Sequence, residues 1–172
     1  MGQYWKVLNL DRKEFVHAHD MGCGLKLCEQ IASHPSPATA MFILCAAMPE
    51  PRGGGDFDLD VNWHGPERKD YTAAGPMPEH YPAIAARTIG RWAGDRIAVI
   101  GDYAETGDIK REKRKGDLTE PEMYAACTAE DDEESVGPRW VNVTEDVKRV
   151  IEHELRGAFV PTDWGSVKWQ EG

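Results

Sequence analysis

Four short stretches of this chain bring together residue types able to do chemistry. Asp56, Asp58 and Asp60, followed by Asn62 and Glu67, alternate through residues 56–63 with Phe57, Leu59, Val61 and Trp63. In a strand that alternation turns the carboxylates to one face, about 6.5–7 Å apart, and the apolar side chains to the other. A divalent cation, which takes hard oxygen ligands, could hold such a row together; an exposed acidic face without metal is the simpler reading. The spacing also echoes a calcium loop, but Val61 stands at the sixth position, where the sharp turn of such a loop needs Gly.

The second stretch is His17, His19 and Asp20 with Cys23 and Cys28, a set rich in the ligands zinc prefers. Its spacing lacks the Cys-x2-Cys and His-x3-His pairs of zinc sites, so half-buried thiols beside surface histidines are the plainer expectation. A nucleophilic Cys23 served by His19 is the other chemistry this set could support. The third is Gly22-x-Gly24-x-Lys26, where amides at a helix start and an ammonium would meet an anion. It has neither the Gly-Lys-Ser/Thr of a Walker loop nor the third Gly of a dinucleotide fingerprint, and a chain turn explains it more simply.

The fourth gathers Arg91, Trp92, Asp95 and Arg96 around a glycine-bounded turn, with Asp102 and Tyr103 after the strand that follows. Loops held by a rigid scaffold are where binding groups are displayed, and this turn is the leading candidate site. The alternative is internal: Asp95 capping its own turn and Arg96 pairing nearby.

Several elements must position these groups. Residues 3–19 read as a hairpin: strand formers Tyr4 to Leu8, a polar turn, then Phe15-Val16. Leu25, Leu27, Cys28 and Ile31 are spaced to cover one face of a short helix closed by His34-Pro35. Ser36-Pro37 is a helix start, Ser36 capping a free amide and Pro37 having none to leave unpaired; the helix should run to about Met48, apolar nearly all round and central in the core. Residues 49–82 are rich in Pro and Gly and read as loop apart from the alternating stretch. Residues 83–89 form a short helix or an extended lead-in, and Ile97 to Ile100 a buried strand. Residues 105–137 carry the charged segments, with a short helix from Pro121 to about Ala129. The end reads as a strand at residues 140–143 and a helix to about Leu155, capped by Thr144, with Glu145 and Asp146 in its first turn and Val147, Val150 and Ile151 on its buried stripe.

Composition bounds the rest. The chain has 172 residues with 30 Asp+Glu against 20 Lys+Arg, a formal net charge of -10. That balance repels nucleic-acid phosphate, and residues 110–115 are the one basic cluster. The longest apolar run, residues 38–48, falls short of the ~18 residues of a membrane helix. The first residues lack the pattern of an export signal, and Lys6 stands where myristoylation wants a small hydroxyl residue. These features lead to the expectation of a cytoplasmic protein with free thiols at Cys23, Cys28, Cys45 and Cys127, and without nucleic-acid or membrane partners.

The opening MGQYWKVLNLD, the block from His19 through Gly22, Gly24 and Lys26, and GRWAGDRI with Gly101-Asp102-Tyr103 together resemble a family of small, functionally uncharacterised bacterial proteins. The resemblance covers about a quarter of the chain and implies a shared fold and cellular setting, with no activity to carry over. Cys23 and Cys28 depart from the family pattern, which weakens zinc or thiol chemistry at those positions.

The expected architecture is a single α+β domain over residues 1–172: an N-terminal hairpin, a buried central helix, a mixed or antiparallel sheet, and a C-terminal strand and helix. The leading functional expectation is a non-catalytic binding module for a protein or small polar ligand, contacted through Arg91, Trp92, Asp95, Arg96, Asp102, Tyr103 and Lys26. The first rival is a divalent-metal-dependent enzyme acting on a phosphate ester or nucleotide, with Asp56, Asp58 and Asp60 on the cation and Lys26 or Arg96 on the anion. The second is an acidic decoy for a basic protein surface, using the run Glu130 to Glu134. No cofactor beyond a divalent cation is suggested.

Overall fold

The computed structural model describes residues 3–47, 81–127 and 140–154. The alternating stretch with Asp56, Asp58 and Asp60, the acidic run from Glu130 and the C-terminal tail lie outside the described residues. Strand β1 (Trp5–Asn9) turns through residues 10–13 into β2 (Glu14–Val16), as the hairpin pattern predicts. Asn9 holds the turn, its Oδ1 accepting the amides of Asp11 at 3.0 Å and Arg12 at 2.9 Å. Strand β3 (Ile97–Gly101) pairs antiparallel with β1, and β4 (Val141–Asn142) pairs parallel with β2, giving the order β3-β1-β2-β4. The fold is α+β with a mixed sheet.

Both faces of this sheet are covered. Leu8, Phe15, Ala98 and Ile100 pack with Leu10, Met123, Cys127 and Trp140, under α4 (Glu120–Ala126). Val7 and Val16 pack on the other side against α2 (Pro37–Cys45), α3 (Tyr81–Thr88) and α5 (Thr144–Glu154). In α5 the expected stripe is present: Val147, Val150 and Ile151 are all buried in this second cluster. Arg87 of α3 ties the two helices on the outside, donating Nη2 to Asp146 Oδ1 at 2.7 Å.

Ser36 caps α2 as expected, its Oγ accepting the Thr39 amide at 3.2 Å behind Pro37. The helix nevertheless stops at Cys45, short of Met48. The Ile43 carbonyl takes the Gly90 amide at 3.0 Å and the Leu44 carbonyl takes the Trp92 amide at 2.7 Å, so the chain after α3 satisfies the helix end from outside. Gly90 is required there: its φ is 72°, and a Cβ would stand 2.6 Å from the Ala46 carbonyl oxygen. Nor is α2 buried all round. Ala40, Ile43 and Leu44 face the core while Phe42 is 76% exposed, a distinction that an all-apolar sequence does not carry.

Two further expectations change in detail. Helix α1 (Leu27–Ala32) forms, but Leu27, Cys28 and Ile31 face outward, and Gln30 is the buried residue. The Gln30 amide donates to the carbonyls of Trp5 and Leu25, each at 2.8 Å, so a polar anchor sets which face of α1 turns inward. At α5, Thr144 stands as the first helical residue. Asn142 Oδ1 accepts the Thr144 amide at 3.0 Å, and the Thr144 hydroxyl accepts the His17 amide at 2.7 Å, stitching β2 to the helix start.

Candidate binding surface

The turn between α3 and β3 carries four of the seven residues expected to bind, Arg91, Trp92, Asp95 and Arg96, and each of these side chains has a partner within the chain. Arg91 donates Nε and Nη2 to the two carboxylate oxygens of Glu14, at 2.9 and 2.7 Å. Trp92 is fully buried and donates Nε1 to the same Glu14 at 2.8 Å. This fork on a buried carboxylate, strengthened by charge, raises the Arg91 pKa above its ordinary value, with the hydrogen bond to Glu14 as the main cause. Glu14 thus fastens β2 to the turn.

Asp95 accepts Asn9 Nδ2 at 2.8 Å and Arg12 Nε at 2.7 Å, and these bonds, Asn9 first, hold its carboxyl below the usual range. Arg96 is saturated on two sides. Its amide and Nε bond Asp11 at 2.9 and 2.8 Å, and Nη1 bonds Asp117 at 2.9 Å and the Glu112 carbonyl at 3.1 Å. Arg111 reaches the same Asp117 and Arg114 the same Asp11, each at 2.9 Å. The hydrogen bond from Arg96 is the leading reason that Asp117 sits well below the ordinary carboxyl pKa and that Asp11 is lowered too. Two basic residues of the 110–115 cluster are therefore part of an internal ion-pair network. Asp102 accepts the Tyr4 amide on Oδ1 at 3.0 Å and closes the β1–β3 ladder, whereas Tyr103 and Lys26 are exposed.

The histidine and cysteine set divides in two. His17 Nδ1 lies 3.2 Å from Asp20 Oδ1, with the His19 ring edge-on at 5.7 Å. Burial pushes the Asp20 carboxyl up, but the hydrogen bonds from Asn142 and His17 outweigh it and bring the pKa below normal. Cys23 is engaged elsewhere, its buried thiol donating to the Pro35 carbonyl at 2.8 Å, and burial raises its pKa. A thiolate nucleophile needs the opposite environment. The cysteines are free thiols. Among the described residues no group of three or more His, Cys, Asp or Glu side chains is placed to hold a metal ion.

Among the buried polar residues that the sequence reading does not single out, two charged ones lie on the central strands of the sheet. Glu14 is one. Lys6 is the other: its Nζ donates to the Cys127 carbonyl at 2.5 Å and lies over the rings of Phe15 and Tyr124, 5.4 and 5.3 Å from their centroids. For Lys6 the signal is a charge inside a run of strand formers, because a strand in the middle of a sheet must find a partner for it; Glu14 follows the polar turn in sequence and carries no such signal.

Three large apolar side chains also face outward on α1 and α2. Leu27 and Ile31 stand four residues apart on the open side of α1, 37% and 63% exposed, and Phe42 projects from α2, against which α1 packs. Their exposure contrasts with Arg91, Trp92, Asp95 and Arg96, whose polar groups are tied to partners inside the chain. Compared with protein-family models, curated proteins and solved structures, the chain matches none.

Proposed function

We propose that the protein is a non-catalytic binding module whose partner is another protein, docked on the outward side of α1 and α2 through Leu27, Ile31 and Phe42. The observation behind this reading is the exposure of three large apolar side chains on two packed helices whose inward faces are already filled. Apolar area removed from water is worth roughly 25 cal/mol per Å², and clustered exposed apolar side chains are the usual mark of a contact surface. Phe42 is the natural anchor, since aromatic side chains buried at the centre of an interface carry much of its energy. The net charge of -10 favours a basic partner, whose approach it would accelerate at low salt.

The contact residues in this reading differ from the turn residues that the sequence favours, because Arg91, Asp95 and Arg96 would have to give up internal ion pairs to bind anything else. The reading is tested by partner capture from native cell lysate on immobilised protein, run in parallel with Phe42→Ser and Ile31→Ser. A partner retained by the wild type and by Tyr103→Ser, but lost by both apolar variants at unchanged melting temperature, supports it. Equal capture by all four proteins rejects it.

A further inference from the structure

The ion pairs around Arg96 bring together two turns that are far apart in the chain. Arg114 Nη1 meets Asp11 Oδ1 at 2.9 Å and Arg96 Nη1 meets the Glu112 carbonyl at 3.1 Å, so the β1–β2 turn and the loop of residues 110–117 lie side by side. Asp117 closes that loop from within, accepting the Arg114 amide at 2.8 Å. In the other turn the Lys13 carbonyl accepts the Val141 amide at 2.9 Å. Both turns are thus pinned to the fold.

Arginine and lysine are used differently here. Arg12, Arg96, Arg111 and Arg114 are each paired with an aspartate. Lys13, Lys110, Lys113 and Lys115 are all exposed, and among the described residues none of their ammonium groups has an ion-pair or hydrogen-bond partner. The guanidinium groups of Arg96, Arg111 and Arg114 share only the carboxylates of Asp11 and Asp117, so the network is itself positive in excess. The four lysines add to that excess, with Glu112 the acid of the loop standing against them. Lys13 carries a further sign: its φ is 56°, in the left-handed region where Gly or Asn is the ordinary turn residue, so a cation holds that position against its backbone preference.

The chain as a whole has a formal net charge of -10, and the two turns reverse that sign locally. Charges in solvent more than about 8 Å apart are largely screened at physiological salt, so an anion lying on the turns responds to the local excess. A lysine ammonium is a point charge on a flexible stem and suits an anion of no fixed geometry, whereas the arginine forks that read phosphate or carboxylate in two bonds are already taken. A nucleic-acid duplex carries charge along its whole length, onto a protein that is acidic overall, and neither turn has an aromatic side chain on which a base could stack. A short acidic peptide segment ends where the lysines end.

We propose that the β1–β2 turn and residues 110–115 form a docking surface for a short acidic segment of a partner protein, its Asp and Glu carboxylates met by Lys13, Lys110, Lys113 and Lys115. The surface uses none of Leu27, Ile31 and Phe42 and does not depend on what those side chains bind.

Fluorescence anisotropy with a labelled oligoglutamate peptide tests this, on wild type, on Lys13→Asn, on the triple variant Lys110→Gln, Lys113→Gln, Lys115→Gln, and on Lys26→Gln as an exposed lysine elsewhere. Asparagine suits the left-handed backbone at position 13, so that variant removes the charge and keeps the turn. The expected result is binding that weakens as salt rises, falls roughly tenfold or more in the triple variant and roughly threefold in Lys13→Asn, and is unchanged in Lys26→Gln. No binding by the wild type at physiological ionic strength or below overturns the proposal, as does an affinity indifferent to both patch variants or equally reduced in Lys26→Gln. Duplex DNA serves as the competing probe, and tighter binding of DNA than of the peptide, lost in the same variants, overturns it in favour of a nucleic-acid surface. Amine-reactive labelling of the wild type, read by mass spectrometry, decides the matter without any variant. Bound peptide should protect Lys110, Lys113 and Lys115 while Lys26 reacts as before; equal labelling with and without peptide rejects the surface.

Discussion

The indole N–H of Trp92 and the carboxylate of Glu14, 78 residues apart in the chain, meet at 2.8 Å inside the molecule. The same carboxylate takes the fork of Arg91, so one side chain of β2 satisfies three donors of the turn before β3. Glu14→Ala leaves the indole donor stranded and a half-buried guanidinium unpaired, and should cost about 2–4 kcal/mol. Glu14→Gln keeps an acceptor for Trp92 but loses the charge, and should cost about 1–2 kcal/mol. Urea unfolding followed by tryptophan fluorescence measures both, and a smaller loss for Ala than for Gln would show that the pair is not what fastens the turn.

Acid should loosen the protein through the network around Arg96. Asp11, Asp95 and Asp117 are all held below the ordinary carboxyl value of 3.8. A group whose folded pKa is depressed adds stability that is complete above the unfolded value and is lost as pH falls through the folded one. The urea midpoint should therefore stay level from neutral pH down toward the ordinary carboxyl range and drop below it. In Arg96→Ala the main cause of the depression at Asp117 and Asp11 is gone, so the drop should be shallower. An identical acid profile in the variant would assign the acid sensitivity to other carboxylates.

Gly90→Ala probes the joint between α2 and the turn. The new Cβ would meet the Ala46 carbonyl oxygen at 2.6 Å from a backbone with φ of 72°, so two penalties fall on one position. A loss of about 1–3 kcal/mol is expected. Gly94→Ala is the control: its φ is also left-handed, at 83°, but nothing stands within 4 Å of a Cβ there, so its loss should be the smaller of the two. Thermal unfolding of the pair separates the contact from the backbone strain.

These positions also show what the sequence makes legible. The hairpin, the Ser36 cap, the strand through Ile97 and the Val147, Val150, Ile151 stripe are all written in local spacing, and all appear in the structure. What local spacing does not carry is the identity of distant partners. The turn residues Arg91, Asp95 and Arg96 stand out in sequence, but their partners Glu14, Asn9 and Asp11 lie 77, 86 and 85 residues away. Without those partners the same residues read equally well as a binding site. Helix α1 fails for a related reason: periodicity assigns Leu27 and Ile31 to the core, whereas the Gln30 amide, bonded to the carbonyl of Trp5, turns them to the surface.

That reversal gives the sharpest contrast between the turn and the helices as contact surfaces. Arg96→Ala removes bonds to Asp11, Asp117 and the Glu112 carbonyl, so it should lower the melting temperature. It removes nothing from the face formed by Leu27, Ile31 and Phe42, so captured partner should remain. Phe42→Ser does the reverse. Its side chain is largely in water in the free protein, so stability should change by no more than about 0.5 kcal/mol, while partner binding falls by an amount typical of losing an aromatic anchor, about 2 kcal/mol or more. Thermal unfolding and capture on the same two preparations give a crossed result if the helices carry the contact. Loss of the partner in Arg96→Ala with full retention in Phe42→Ser would return the binding role to the turn.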